Sequence, residues 1–299
     1  MTSDQPSAAP ILRELLASGA KRLVAASDRD PAAGTFASSD SRREAELLLG
    51  HAIARDRAWL YAHADDRMEA ATVTQFQQLL ARRIRGEPLA YLLGRREFWS
   101  LDLIVTPDVL IPRPETELLV ELALHKVAPD STLEIADLGT GSGAVAVALA
   151  HERPRARVIA TDLSEPALAI ARVNAGRAGL SNVSFELGDW CAALGSRRVD
   201  LIVANPPYIA EADPHLTQGD LCFEPRAALA SGVRGLDAIA SIIAAAPDHL
   251  RAGGWLLFEH GHDQGDVARL LLQQSGFMEI FTEPDLERRD RVSGGRIAQ

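Results

Sequence analysis

The sequence predicts an α/β fold, a doubly wound parallel sheet, preceded by a smaller all-helical domain. Three observations carry that prediction. From Glu117 onward, short apolar runs alternate with helix-periodic segments. The first of those runs empties into a glycine-rich turn. Before residue 95, apolar side chains recur at helical spacing.

In residues 1–95, "ILRELL" sets Ile11, Leu12, Leu15 and Leu16 on one helical face, and "EAELLLGHAI" and "TQFQQLLARRI" repeat the pattern. Ser41 and Glu44 match a capping box ahead of Leu47, Leu48 and Leu49. "DPAAGTFASSD" (30–40) reads as a loop. Residues 96–112 form a connector: "FWSLDLIVTPDVLI" (98–111) is rich in β-formers and is broken by Thr106-Pro107-Asp108, which suggests a hairpin. Residues 113–299 hold five candidate strands: "LEIADL" (133–138), "RVIAT" (157–161), "VSFEL" (183–187), "DLIVA" (200–204) and "WLLFEH" (255–260). "GAVAVALAHE", "EPALAIARVNAGRAG", "LDAIASIIAAAPDHL" and "QGDVARLLLQQSG" supply the helices between and after them. In such a sheet ligands bind at the carboxyl ends of the strands.

Composition excludes several classes. A balance of 41 acidic against 31 basic residues gives a net charge of −10, which disfavours a phosphate backbone as the main partner. The two cysteines, Cys191 and Cys222, provide neither a disulfide framework nor metal-ligand spacing. His260, His262 and Asp263 cluster, but a metal needs further ligands that the sequence does not offer, so no metal is expected. The first ten residues lack the apolar stretch of a signal peptide, and no run approaches the ~18 apolar residues of a membrane span. The expectation is a cytoplasmic protein with no membrane partner. Arg82, Arg83, Arg85, Arg95 and Arg96 read first as a solvated helix face.

The turn after the first strand is "DLGTGSGA". Gly139, Gly141 and Gly143, with Thr140 and Ser142 between them, let the backbone turn sharply and approach a ligand with no Cβ in the way. Asp162, followed by Leu163, closes the next strand, where a carboxylate can accept from both hydroxyls of a ribose. The pair indicates a nucleoside-containing cofactor, NAD or S-adenosylmethionine. Two features favour the second. Asp137, just ahead of the glycines, suits a sulfonium and an amino group better than a pyrophosphate. In "LGDW", Asp189 and Trp190 can hold the edge and face of an adenine.

At the end of the fourth strand stands "NPPY". Pro206 and Pro207 fix φ and stop the strand, so Asn205 projects into the cleft beside the cofactor. A free main-chain carbonyl and the Asn205 side-chain carbonyl make two fixed acceptors, which suit a planar –NH2 group, and Tyr208 can lie against its flat face. Such a corner aims the nitrogen of an amide or exocyclic amine at a methyl sulfonium, and the chemistry then needs positioning more than a general base.

With these residues in view, the chain resembles the class I methyltransferases that modify amino groups, and more closely the HemK-type release factor glutamine methyltransferases. "PLAYLLGRREFWSLDLIV", "VLIPRPETELLVE", "DLGTGSGAVAVALA", "ATDLSEPALAIARVNA", "IVANPPYI", "EPRAALASG", "LLFEHGHDQ" and "RDRVSGGR" carry the resemblance across almost the whole chain. It implies a mostly parallel seven-stranded sheet, S-adenosylmethionine as cofactor, and methylation of the glutamine in the Gly-Gly-Gln loop of peptide chain release factors, helped by the helical domain. By position it implies that Gly139 to Gly143, Asp162 and Trp190 line the cofactor, and that Asn205, Pro206, Pro207 and Tyr208 hold the glutamine amide. The resemblance also implies that Arg113, Pro114, Glu115 and Thr116 border the cleft entrance. A monomer is expected. The alternatives are a glutamine methyltransferase of a ribosomal protein, an exocyclic-amine RNA or DNA methyltransferase, and a binding module without activity. Arg234 and "ERRD" near the C-terminus depart from the family pattern.

Overall fold

A computed structural model describes residues 9–27 and 38–298. The chain forms two compact units, one of Met1–Gly94 with Thr217–Phe223 and the other of Arg95–Leu216 with Glu224–Gln299. The return of Thr217–Phe223 to the first unit is not visible in linear boundaries at residues 95 and 112.

The first unit contains α1 (Leu12–Ser27), α2 (Ser38–Ile53), α3 (Arg57–Ala62), α4 (Ala70–Ile84) and α5 (Leu89–Leu93). Its core is the periodic set the sequence marks: Leu12, Leu15, Leu16, Leu48, Leu49, Leu79 and Leu80, with Phe76 among them. The capping box is not realised. α2 begins at Ser38, ahead of Ser41, and Glu44 instead accepts from the buried Arg83 guanidinium at 2.8 Å. Arg83 is thus an internal cross-link, while Arg82 pairs with Glu87 at the surface. The loop read at 30–40 lies mostly outside the described residues, and its last three residues open α2.

The second unit opens with a hairpin of β1 (Arg95–Phe98) and β2 (Leu101–Ile104). Its turn is Trp99-Ser100, with φ of 52° and 57°, the left-handed pair of a two-residue hairpin turn. This corrects the break expected at Thr106-Pro107. The main-chain N–H of Trp99 donates to Glu117 and its indole N–H to Glu152, each at 2.9 Å.

Beyond the hairpin lie α6 (Glu117–Lys126), β3 (Glu134–Leu138), α7 (Ala144–Glu152), β4 (Arg157–Asp162), α8 (Glu165–Arg177), β5 (Val183–Leu187) and β6 (Val199–Ala204). The chain then runs through short 3-10 turns to α9 (Asp237–His249), β7 (Leu250–Glu259), α10 (Gly265–Gln274), β8 (Met278–Pro284) and β9 (Asp290–Arg296). The seven main strands are ordered β5-β4-β3-β6-β7-β9-β8. Pairing is parallel from β5 to β7 and antiparallel at β7–β9 and β9–β8.

Both faces of the sheet are covered, which is why its strands read as unbroken apolar runs. In β6, Leu201 and Val203 pack with Leu119 and Val120 of α6, while Ile202 and Ala204 pack with Ile239 and Ile242 of α9. From β3 the chain builds outward to β5, then returns to place β6 on the other side of β3. That reversal puts the carboxyl ends of β3 and β6 side by side, with Leu138 opposite Ala204.

Candidate active site

The glycine turn and Asn205 therefore emerge from adjacent strands, whose spacing is about 4.8 Å. They share a cleft of about 440 Å³ within the second unit. Gly139, Thr140, Gly141, Ser142, Asp162, Leu163, Asp189, Trp190, Asn205 and Pro207 all line it. So do Asp137 and Thr116, and an apolar wall from two other loops, Leu110, Pro112, Pro225 and Ala228.

Gly139 and Gly141 have φ of +72° and +55°. A Cβ on Gly139 would stand 2.8 Å from the Trp190 indole, whereas one on Gly141 would meet nothing within 4 Å, so that backbone faces open cleft. Asp162 shapes the turn as well as facing it. Its Oδ2 accepts from the Gly141 N–H and its Oδ1 from the Ser164 N–H, both at 2.8 Å, and each carboxylate oxygen has capacity for a second donor.

Asp137 is buried at the floor. Its Oδ2 accepts from the Thr140 hydroxyl at 2.6 Å and the Ala146 N–H at 3.1 Å. Burial pushes its carboxyl up to about 7, Asp162 adds to the rise, and the two donors oppose it. Such a carboxyl gains its charge most readily when a cation arrives.

Asn205 is held from behind. Its Nδ2 donates to the buried Thr116 hydroxyl at 3.1 Å, which donates at 2.7 Å to Glu259 at the end of β7. Among the described residues, none donates to Asn205 Oδ1, which leaves that oxygen for the cleft. Five expected site residues do not line the cleft. Tyr208 turns its hydroxyl away, donating to Glu259 at 3.0 Å, and burial together with the Glu259 charge raises its phenol. The Pro206 ring is buried. Gly143 caps α7, and Glu115 is exposed outside the lining. Arg113 is likewise absent from the lining and pairs with buried Glu224, which also accepts from the Ile111 N–H at 3.1 Å. Sequence reasoning gave no role to Glu224, Glu259 or Gln264. The last of these donates to the Tyr208 carbonyl at 3.0 Å and pins the chain beyond the prolines. "EPRAALASG" and "LLFEHGHDQ" contain all three, but nothing local in those strings says what they touch.

Two family models match separate parts of the chain. The PrmC N-terminal domain matches residues 14–94 and the methyltransferase small domain residues 114–232. A release factor glutamine methyltransferase of Xylella fastidiosa (strain Temecula1) is 56% identical over 255 residues, 85% of this chain and 93% of its own. That of Escherichia coli (strain K12) is 44% identical over 88% of this chain and 95% of its own. The chain belongs to the release factor glutamine methyltransferase family. The fold agrees with a class I methyltransferase. The 16S rRNA N2 G1207 methyltransferase of T. thermophilus, solved with AdoMet and guanosine, matches with a TM-score of 0.51 at 18% identity, over 68% of this chain and 49% of that one. Within the family's fold, His260 is a satisfied core side chain: its Nδ1–H donates to the Gly261 carbonyl and its Nε2 accepts from Ser293, each at 2.8 Å. No group of three or more His, Cys, Asp or Glu among the described residues is placed to hold a metal. Among the same residues no helix is long and apolar enough to cross a membrane.

Proposed function

We propose that this protein transfers a methyl group from S-adenosylmethionine to the side-chain amide nitrogen of a glutamine, that of the Gly-Gly-Gln loop of peptide chain release factors. The observation that carries the reading is the carbonyl oxygen of Asn205, backed by Thr116 and left open to the cleft beside a glycine turn.

The cleft residues fit the cofactor. The open backbone at Gly141 admits close approach, Asp162 and its turn suit a ribose, and buried Asp137 suits the sulfonium and amino groups. Leu163, Asp189 and Trp190 supply an apolar and hydrogen-bonding wall for an adenine. When bound, S-adenosylmethionine supplies an electrophilic methyl on sulfur.

The chain's own residues orient the acceptor. An amide nitrogen is a weak nucleophile because its lone pair is delocalised. Oxygens of Asn205 and of the proline-stiffened main chain accept its two N–H groups, hold it in one plane, and draw electron density onto nitrogen. Leu110, Pro112, Pro225 and Ala228 exclude water around it. Preset geometry of this kind supplies up to ~7–11 kcal/mol of the barrier; the N–C bond would form as the methyl–sulfur bond breaks, and the displaced amide proton would pass to solvent.

The test incubates the protein with tritiated S-adenosylmethionine and, separately, a purified release factor, ribosomal proteins and rRNA. Label is expected in the release factor, and Asn205→Ala is expected to abolish it while retaining cofactor binding. Label confined to rRNA or to a ribosomal protein overturns the substrate, and full activity in Asn205→Ala overturns the role of its oxygen.

A further inference from the structure

Glu259 lies in neither the glycine turn nor the Asn-Pro-Pro-Tyr corner, yet its side chain ties that corner to Thr116. It is 1% exposed, at the carboxyl end of β7. Its two oxygens are used separately: Oε1 accepts from the Tyr208 hydroxyl and Oε2 from the Thr116 hydroxyl. We propose that Glu259 is a positioning residue that sets which way round the Asn205 amide faces, acting through the Thr116 hydroxyl. The inference rests on the reading of Asn205 Oδ1 as an acceptor for the substrate amide.

A hydroxyl has one proton to give. With that proton committed to Glu259 at 2.7 Å, Thr116 can act only as an acceptor toward Asn205. Of the two ends of the asparagine amide, only the NH2 can donate, so it turns to Thr116 and the oxygen turns to the cleft. The direction of every bond in the chain follows from the ionised form of Glu259, which has nothing to donate. A neutral carboxylic acid or a carboxamide in its place can donate to Thr116. The Thr116 proton is then free for Asn205 Oδ1, and the amide can rotate to present an NH2 to a substrate that itself offers N–H groups. Donor would face donor.

The charge on Glu259 is held in a contested setting. Burial raises its carboxyl above the ordinary range, the donors Thr116 and Tyr208 and the charge of Arg291 lower it, and exposed Glu115 raises it. Arg291 is itself tied to Asp285 on the β8–β9 loop, Arg113 acts on Tyr208, and His260 follows directly in the chain. The ionised form is the one that orients Asn205, so transfer is lost as pH falls through the raised value.

The test measures kcat and KM for a purified release factor at saturating cofactor, across pH, together with cofactor affinity and melting temperature. Thr116→Val and Glu259→Gln are expected to lower kcat by about ten- to a hundredfold, the usual range for groups that orient a functional residue, with cofactor affinity unchanged. Thr116→Ser, which keeps the hydroxyl, is expected to restore it. An acid limb of kcat is expected in the native protein and its absence is expected in Glu259→Gln. Native kcat in Thr116→Val, or an unchanged acid limb in Glu259→Gln, overturns the proposal. If Glu259→Gln does not fold, the Thr116→Val and Thr116→Ser pair decides alone. Asn205→Ala separates the two levels. Its inactivity beside an active Thr116→Val sinks only the role of Glu259, whereas its full activity sinks the reading beneath it.

Discussion

Asp137→Asn is expected to make the ligand-free protein more stable and the cofactor complex weaker. Its carboxyl ordinarily titrates at 3.8, and burial pushes it to about 7 in the fold. The folded chain therefore keeps a proton that the unfolded chain releases between about pH 4 and 7. Stability from this group is fully present below about pH 4 and is lost as pH rises through about 7. One pH unit between the two values corresponds to about 1.4 kcal/mol, so the ionised carboxylate burdens the empty fold by about 4 kcal/mol at most at pH 8. Asparagine removes that burden at little loss, because the Thr140 hydroxyl and the Ala146 N–H both donate to the same oxygen, Oδ2, which an amide oxygen can replace.

Calorimetric melting of the ligand-free proteins from pH 4 to pH 8 measures the effect. The variant should melt higher at pH 8, by roughly 2–4 °C per kcal/mol recovered, and the gain should vanish toward pH 4. Titration with S-adenosylmethionine at pH 8 should show the variant binding at least about tenfold more weakly, since an interior charge pair is lost. Melting curves that stay parallel across the pH range, or a variant less stable at pH 8, would refute the reasoning that Asp137 holds its charge in reserve for a cation.

Two further substitutions probe the frame of the site. Gly139→Ala puts a methyl 2.8 Å from the Trp190 ring at a φ of +72°, and should cost about 1–3 kcal/mol of stability and at least about tenfold in cofactor affinity, read by melting and by titration. Asn174→Ala strips partners from the Ile104 N–H and carbonyl and the Ser142 carbonyl, and should cost about 2–4 kcal/mol in urea unfolding. On the same helix, Arg172→Ala removes an exposed pair with Glu165 and a guanidinium 5.7 Å from the Phe185 ring, and should cost less than about 1 kcal/mol.

What could be read from the sequence is what depends on near neighbours in the chain. "VDLIVA" is legible as β6 because both faces of that strand are buried, and its stop is legible because Pro206 follows. β8 and β9 are not legible in this way. β8 is an edge strand with mixed exposure, and β9 contains Gly294 and Gly295, residues that argue against a strand by propensity. They are glycine here because a Cβ on Gly294 would lie 2.7 Å from the Leu256 carbonyl, and one on Gly295 would lie 2.9 Å from Phe277. The β1–β2 turn was hidden for the opposite reason: its left-handed residues are Trp99 and Ser100, with no glycine or asparagine to announce them.

The same division explains why "IPRPETE" and "NPPY" point to this family far more strongly together than apart. Each alone is a loop rich in proline. In the fold, Thr116 of the first accepts from Asn205 of the second, 89 positions later, and its hydroxyl donates to Glu259, 143 positions beyond it. The two strings are halves of one hydrogen-bonded unit, brought together because β6 returns beside β3 and β7 pairs beside β6. Asn205 could be recognised from its own neighbours, since prolines stiffen the corner that carries it. The direction in which its amide faces could not, because that depends on a carboxylate from another strand. The chemistry of the corner is thus local, and its orientation is a property of the sheet.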